Sequence, residues 1–138
     1  MAECCGGKES GESACCGGAS KGRSVLLYAC SGGANVAEAA DRAARQLASA
    51  GCGSMFCLAG LGAGIEGMVQ TARDADLNVV LDGCPMDCAR QIFEKAGLAN
   101  YVQVRATDLG MEKVKGVRAT EEQVASLAAK AKEAVCNG

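Results

Sequence analysis

Segment 81–90 contains the residues of this chain that are best suited to chemistry. Cys84 and Cys88 lie in it, directly after the apolar run 78–81, which predicts a buried strand. If Pro85 occupies the first turn of a helix, both sulfurs lie on one helix face, because residues four apart are neighbours there. The N-terminus of a helix favours thiolate over thiol. The pair is therefore predicted to be half of a metal site or the reactive pair of a thiol site.

Composition restricts the chemistry further. The 138 residues include ten cysteines and no histidine, so a soft-metal site must be built from thiolates, completed at most by carboxylates, and no Cys–His nucleophile pair can exist. A net charge of −2 without a basic, aromatic-rich patch argues against nucleic acid as a partner. No apolar run approaches the length of a membrane span and no signal segment opens the chain, which favours the cytoplasm, where cysteines are usually reduced.

Residues 1–22 are predicted to form a disordered leader rich in cysteine and glycine. The motif Cys-Cys-Gly-Gly occurs twice in it, and no apolar period accompanies either copy. Its four auxiliary thiols are Cys4, Cys5, Cys15 and Cys16. Two interpretations stay open: a duplicated leader without chemical function, or an arm that tethers a thiophilic ion or exchanges thiols.

Residues 23–138 are predicted to form a single α/β domain. Apolar strand patterns alternate with helical patterns, which is typical of a parallel sheet covered on both faces. The predicted strands are residues 24–29, 54–58, 78–81 and 101–105, with a short edge strand around 113–117. The expected fold class is a three-layer, Rossmann-like parallel sheet of four to five strands with helices on both faces.

Four cysteines occupy corresponding positions in this scheme. Cys30 closes the first strand, Cys57 lies near the end of the second, and Cys84 and Cys88 follow the third. Parallel strands end at one edge, about 4.8 Å apart when adjacent. Zinc binds thiolates at about 2.3 Å in tetrahedral geometry. If the three strands are neighbours, the pattern predicts a zinc site. Iron or copper(I) is an alternative ion, and burial of the thiols as small hydrophobic groups is the alternative interpretation.

Other polar residues and cysteines have simpler expected roles. Asp82 and Asp108 are near the same edge, where they would form turn hydrogen bonds and helix caps or else orient the thiolates. Lys113 would neutralise part of the negative charge of a four-thiolate site or be an ordinary solvated lysine. Cys52 and Cys136 are expected to be spare thiols.

An enzymatic alternative rests on Cys84 and Arg90. Their Cys-x5-Arg spacing at a strand-to-helix turn resembles, in this short pattern only, tyrosine phosphatases and arsenate reductases. Cys88 or a leader cysteine would then resolve a covalent intermediate as a disulfide. Pro85 removes one backbone donor from such a loop, and a binding module is favoured over an enzyme. A thiol-redox or metal-transfer protein is a further alternative.

Four blocks in matching order resemble the DGC-domain family of small prokaryotic proteins. The blocks are residues 27–32, 57–63, 82–89 and 107–113, and the family is named for the central Asp-Gly-Cys, here Asp82-Gly83-Cys84. The family is described as zinc-binding from its cysteine pattern. The resemblance implies four chelating cysteines, which map onto Cys30, Cys57, Cys84 and Cys88. It implies no reaction, and it does not extend to the leader.

Overall fold

Strands and helices alternate along residues 22–138, the part of the chain that the computed structural model describes. The strands are β1 (Val25–Ala29), β2 (Ser54–Met55), β3 (Leu77–Asp82) and β4 (Tyr101–Arg105). The helices are α1 (Asn35–Ser49), α2 (Leu58–Gly62), α3 (Glu66–Asp74), α4 (Cys88–Lys95) and α5 (Glu121–Asn137), with a 3-10 turn at Ala106–Leu109. The predicted leader, apart from Gly22, lies outside the described residues, and so do its four cysteines.

The four strands form one parallel sheet in the order β2-β1-β3-β4. The central strands β1 and β3 pair from Val25 with Leu77 to Ala29 with Leu81, and every residue of both strands is buried. Such continuous apolar strands are expected where helices cover both faces of a sheet. The predicted α/β fold class with a parallel sheet is confirmed, and the sheet has four strands.

Two helical layers cover the sheet. Alternate residues of a strand point to opposite faces, so Leu27 packs into a core cluster with the inner faces of α1 and α5. The neighbouring Tyr28 packs on the other face against α3 and α4, where its ring lies 4.8 Å from that of Phe93. Every strand C-terminus points to the same edge, between these two layers.

The helix expected to have Pro85 in its first turn starts at Cys88 instead. Residues 84–87 form a turn in which the Asp87 N–H donates to the Cys84 carbonyl at 3.0 Å. Asp87 has the left-handed backbone conformation, with φ of 53°, and a right-handed helix cannot continue through it. The prediction that Cys84 and Cys88 share one helix face is therefore wrong.

Two of the predicted strands also differ from the structure. The second strand ends at Met55, and Cys57 is the N-cap residue of α2, a short helix that its glycine-rich sequence did not predict. The expected edge strand at 113–117 is only an isolated bridge between Ala34 and Lys115. By contrast, Thr120 and Gln123 form a capping box at the start of α5, with both reciprocal hydrogen bonds.

No helix within residues 22–138 combines the length and the apolar character that a membrane span requires.

Candidate functional site

Free thiols follow three neighbouring strands at the C-terminal edge of the sheet. Cys30 comes directly after β1, Cys57 lies beyond the end of β2, Cys84 lies beyond β3, and Cys88 opens α4. The sheet order β2-β1-β3 makes these three strands direct neighbours. The adjacency on which the predicted four-cysteine site depended is therefore present.

The four thiols differ in exposure and surroundings. Cys30 and Cys84 are half-buried, whereas Cys57 and Cys88 are exposed. Cys30, Cys84 and Cys88 line a cavity of about 480 Å³, and Cys57 is not part of its lining. Within residues 22–138, no three cysteine or carboxylate side chains converge closely enough to hold an ion as they stand. The fold brings the strand ends together without a preformed metal cage.

Cys30 has the most strongly perturbed thiol of the site. Its Sγ accepts a hydrogen bond from the Gly83 N–H at 3.2 Å. Burial raises the pKa of Cys30 to about 11; the Gly83 bond opposes this, and the nearby Asp82, Cys88 and Cys84 add to it. Cys30 is thus a protonated thiol at neutral pH when no cation is near it.

Asp82 of the Asp-Gly-Cys motif caps the helix that follows it. Its carboxylate is buried and accepts the N–H groups of Ala89 at 2.9 Å and Arg90 at 3.1 Å, which are unpaired donors of the first turn of α4. The Gln103 side-chain amide of β4 also donates to it at 2.9 Å. Of the two roles predicted for Asp82, the structure displays helix capping.

Gly83 is required by close backbone packing. A Cβ at this position would lie 2.9 Å from the carbonyl carbon of Val36 and 3.0 Å from the nitrogen of Ala37. The glycine also links two partners, because its N–H donates to Cys30 and its carbonyl accepts the Thr107 N–H at 3.2 Å. A side chain here would push the β3 turn away from α1, and the thiols with it.

Asp87 anchors the turn between the two cysteines through a network of buried charge. Its carboxylate is bound by both Nε and Nη2 of Arg105, at 2.8 and 2.9 Å, by Gln103 at 2.8 Å and by Arg90 at 3.1 Å. The Arg105 hydrogen bonds hold the pKa of Asp87 below its usual range. Arg105 in turn donates to the exposed Asp108 at 3.0 and 3.1 Å. Asp108 therefore supports Arg105 and contacts no thiol through this network.

The same network occupies the groups that the phosphatase-like alternative needs. Arg90 donates to Asp87 and, at 3.3 Å, to Glu94. The first amides of α4 are bound by Asp82. An oxyanion beside Cys84 would need these donors, so the geometry gives the Cys-x5-Arg hypothesis no support.

Lys113 lies at the predicted position beside the thiols. Its Nζ is 3.4 Å from the Sγ of Cys84. The ammonium group thus places a positive charge against the sulfur of Cys84.

Cys52 and Cys136 belong to a different region. Both are disulfide-bonded, so the expectation that they are spare thiols is wrong. They line another cavity, between the ends of α1 and α5, and take no part in the site at the sheet edge.

Three residues that shape this edge were not predicted from the sequence as part of the site: Asn35, Gln103 and Arg105. Gln103 and Arg105 are far in sequence from the cysteines whose turn they hold, and Asn35 binds the distant segment 112–114, so no local motif marks these roles. One signal was available for two of them. Gln103 and Arg105 are two residues apart on β4 and therefore share a strand face, which is unusual for polar side chains in a sheet covered on both sides.

The part of the chain that carries these thiols matches a known protein family. A model of the DGC domain matches residues 26–131, a range that includes all four free thiols and the Asp82-Gly83-Cys84 turn. No curated protein shows significant similarity to the chain, and no solved structure does. The match confirms the resemblance recognised in the sequence and covers well over half of the molecule, which therefore belongs to the DGC domain family.

Proposed function

We propose that this protein binds a thiophilic metal ion, zinc, with Cys30, Cys57, Cys84 and Cys88 as ligands at the C-terminal edge of the sheet. One observation carries the proposal: each of three neighbouring parallel strands is followed within two residues by a free thiol at the same edge. A set of thiols at one sheet edge is expected where an ion is held, because packing alone does not require sulfur there.

The donor chemistry fits zinc. Thiolates are the preferred ligands of structural zinc, and the chain has no histidine that could compete with them. Lys113 would offset part of the negative charge of the ligands from its position beside Cys84. Iron and copper(I) share this preference for sulfur and are the alternative ions.

The chain supplies a partly fixed frame for these ligands. Asp82, Gly83 and Asp87 hold the backbone around Cys84, whereas the exposed side chains of Cys57 and Cys88 are free to change rotamer. Binding would require both to turn toward Cys30 and would release the proton of the Cys30 thiol. A fully occupied set of four thiolates is a structural centre without an open position, so no reaction is assigned to it. The proposal includes a reducing setting such as the cytoplasm for the four thiols.

The test is metal content by elemental mass spectrometry on full-length protein purified under anaerobic, reducing conditions. We expect one zinc per chain in the wild type and far less in Cys84→Ser. Cys52→Ser/Cys136→Ser is the matched control, because it removes the two disulfide-bonded cysteines, which lie away from the sheet edge. A chain lacking residues 1–22 should keep its zinc.

Two outcomes would contradict the proposal. One is wild-type protein without zinc, iron or copper after reductive purification and after incubation with each ion. The other is equal metal loss in Cys84→Ser and in the Cys52→Ser/Cys136→Ser control, which would place the ion elsewhere. Circular dichroism of each variant shows whether the fold itself was lost.

A further inference from the structure

The cavity beside the thiols is closed on one side by a chain segment that carries two lysines. We call residues 111–116 the lysine strap. Asn35, at the start of α1, holds it: its N–H donates to the Val114 carbonyl at 3.1 Å, its Oδ1 accepts the Val114 N–H at 2.7 Å, and its Nδ2 donates to the Glu112 carbonyl at 2.9 Å. Asn35 is only 3% exposed, and its side-chain bonds to the strap are partly buried.

Further backbone contacts fix the end of the strap. The Gly116 N–H donates to the Gly33 carbonyl at 2.8 Å, and Lys115 forms the isolated bridge with Ala34. Lys113 and Lys115 are two residues apart in this extended segment, and both line the cavity. Their position is therefore set by a tethered backbone and not by a freely moving loop.

The charged side chains that line this cavity, Lys113 and Lys115, are both positive. No carboxylate belongs to its lining, and neither lysine forms an ion pair with any residue between 22 and 138. The acidic side chains nearest in sequence to the thiols are engaged elsewhere, since Asp82 caps α4 and Asp87 binds Arg105. Two ammonium groups thus share a concave space with thiols and uncharged surface.

The rest of the wall is uncharged. Ala34, Val36, Ala37 and Met86 contribute apolar surface, and four glycines, Gly32, Gly33, Gly83 and Gly116, leave backbone in direct contact with the space. The volume of about 480 Å³ is in the range of cavities that bind small organic molecules. An apolar wall with a few convergent polar groups is the usual composition of such sites.

We propose that this cavity is a binding site for a small organic anion whose carboxylate or phosphate group pairs with Lys113 and Lys115 and whose apolar part lies against Val36, Ala37 and Met86. The site occupies the cavity that Cys30, Cys84 and Cys88 also line, but it does not depend on a bound metal, so it goes beyond the proposed function. No bond is made or broken in this proposal, which concerns binding alone.

The experiment is a titration of metal-free, full-length, ¹⁵N-labelled protein followed by NMR. Tris buffer and dithiothreitol are used, because neither adds an organic anion. The probes are phenyl phosphate and benzoate, which distinguish a phosphate from a carboxylate ligand, and benzyl alcohol as an uncharged molecule of similar size. The amide signals of the four wall glycines report directly on the cavity.

We expect at least one anionic probe to shift these glycine signals in a saturable way, and benzyl alcohol to bind at least about tenfold more weakly. The Lys113→Gln/Lys115→Gln variant should also lose at least about tenfold in affinity. Lys95→Gln/Lys130→Gln is the matched control, because it removes the same charge from exposed helix positions outside the cavity and should bind as the wild type does.

Failure of this inference can be separated from failure of the metal proposal. Absence of glycine shifts with both anions, equal binding of benzyl alcohol, or equal affinity in the two double variants would each overturn the anion site. Protein that takes up no metal but binds an anionic probe in a lysine-dependent way would support the anion site and overturn the metal proposal alone. Protein that holds zinc at Cys84 but binds neither anion would support the metal proposal and overturn the anion site alone.

Discussion

At the scale of single residues, Asp87 determines how the chain passes from Cys84 to Cys88. Within residues 22–138 it is the non-glycine residue with positive φ, a conformation that costs roughly 1–2 kcal/mol for residues with a Cβ. The bidentate contact with Arg105 and the bond from Gln103 compensate for this cost. Because the turn is held by charge at its last residue, Cys84 can remain outside the helix while Cys88 begins it.

The network predicts a clear difference between two aspartates that bind the same arginine. Asp87→Asn should lower the free energy of unfolding by about 2 kcal/mol, because an amide has only one acceptor oxygen for the donors that surround it. Asp108→Asn should cost less than about 1 kcal/mol, because Asp108 is largely exposed and its pairing is screened by water. Urea denaturation of the metal-free, reduced proteins at neutral pH measures both. Equal losses would show that Asp87 does not anchor the turn.

The sequence predicted the edge positions of some cysteines better than others. Cys30 and Cys84 could be located just beyond strands because the apolar runs before them are long, whereas the strand before Cys57 is shorter than predicted. The position of Cys88 could not be predicted, because the left-handed conformation of Asp87 depends on Arg105, a residue from another strand. Local preference after Pro85 favours a helix, and this long-range ion pair overrides it.

At the scale of elements, two contacts join the start of α1 to the chain that precedes α5. Asn35 binds the lysine strap, and one turn later Glu38 accepts hydrogen bonds from the Arg118 side chain and from the Ala119 N–H. The Arg118 bond, followed by the Ala119 bond, lowers the pKa of Glu38 to about 2. The strap and the segment that follows it are thus held at both ends by the first two turns of α1.

The Glu38 contact predicts a dependence of stability on pH. Because the folded pKa of about 2 is below the ordinary value of 4.5, Glu38 stabilises the fold fully above about pH 4.5 and loses this contribution as the pH falls toward 2. The difference in unfolding free energy between the wild type and Glu38→Gln should therefore shrink over this interval. Carboxyl ¹³C NMR gives the Glu38 pKa directly. A midpoint near 4.5 would mean that the ion pair does not form in solution.

Helices and strands could be predicted from the sequence where apolar runs are long. They could not be predicted where contacts with residues distant in sequence determine the backbone conformation. The strands β1, β3 and β4 follow their apolar runs closely. The strap has a strand-like sequence but lies across the C-terminal edge, because Asn35 supplies the hydrogen bonds that a neighbouring strand would otherwise provide. Asn35 is a polar residue inside an otherwise apolar helix face, and only its partners in the strap explain it.

At the scale of the whole molecule, the two cores differ in composition. The layer of α1 and α5 packs on the sheet through alanine, valine and leucine. All four aromatic residues of the chain lie on the opposite face, with successive ring centroids 5.8, 4.8 and 5.3 Å apart; in order they are Phe56, Tyr28, Phe93 and Tyr101. The sequence contains only four aromatic residues, and only the sheet alternation shows that one face receives every ring.

This asymmetry predicts unequal sensitivity to truncation. Phe93→Ala should lower the free energy of unfolding by about 3–5 kcal/mol, since Phe93 is fully buried between two other rings. Phe56→Ala, at the half-exposed end of the cluster, should cost clearly less. Urea denaturation gives both values, and near-ultraviolet circular dichroism reports the loss of ring packing. A smaller loss for Phe93→Ala than for Phe56→Ala would contradict the assignment of the cluster centre.

The pairing of β1 with β3 has a consequence for the order of events during folding. Val25 pairs with Leu77, about 50 residues away, and every strand pair in the sheet is parallel, so no local hairpin can start the sheet. Such non-local topologies fold more slowly than helical bundles, because a long loop must close before its contacts form. On the ribosome, Cys30 and Cys57 emerge before Cys84 and Cys88, so the four thiols share one edge only once β3 has docked. A thiophilic ion would therefore join a sheet that is already built, unlike the ion of a zinc finger, on which folding itself depends.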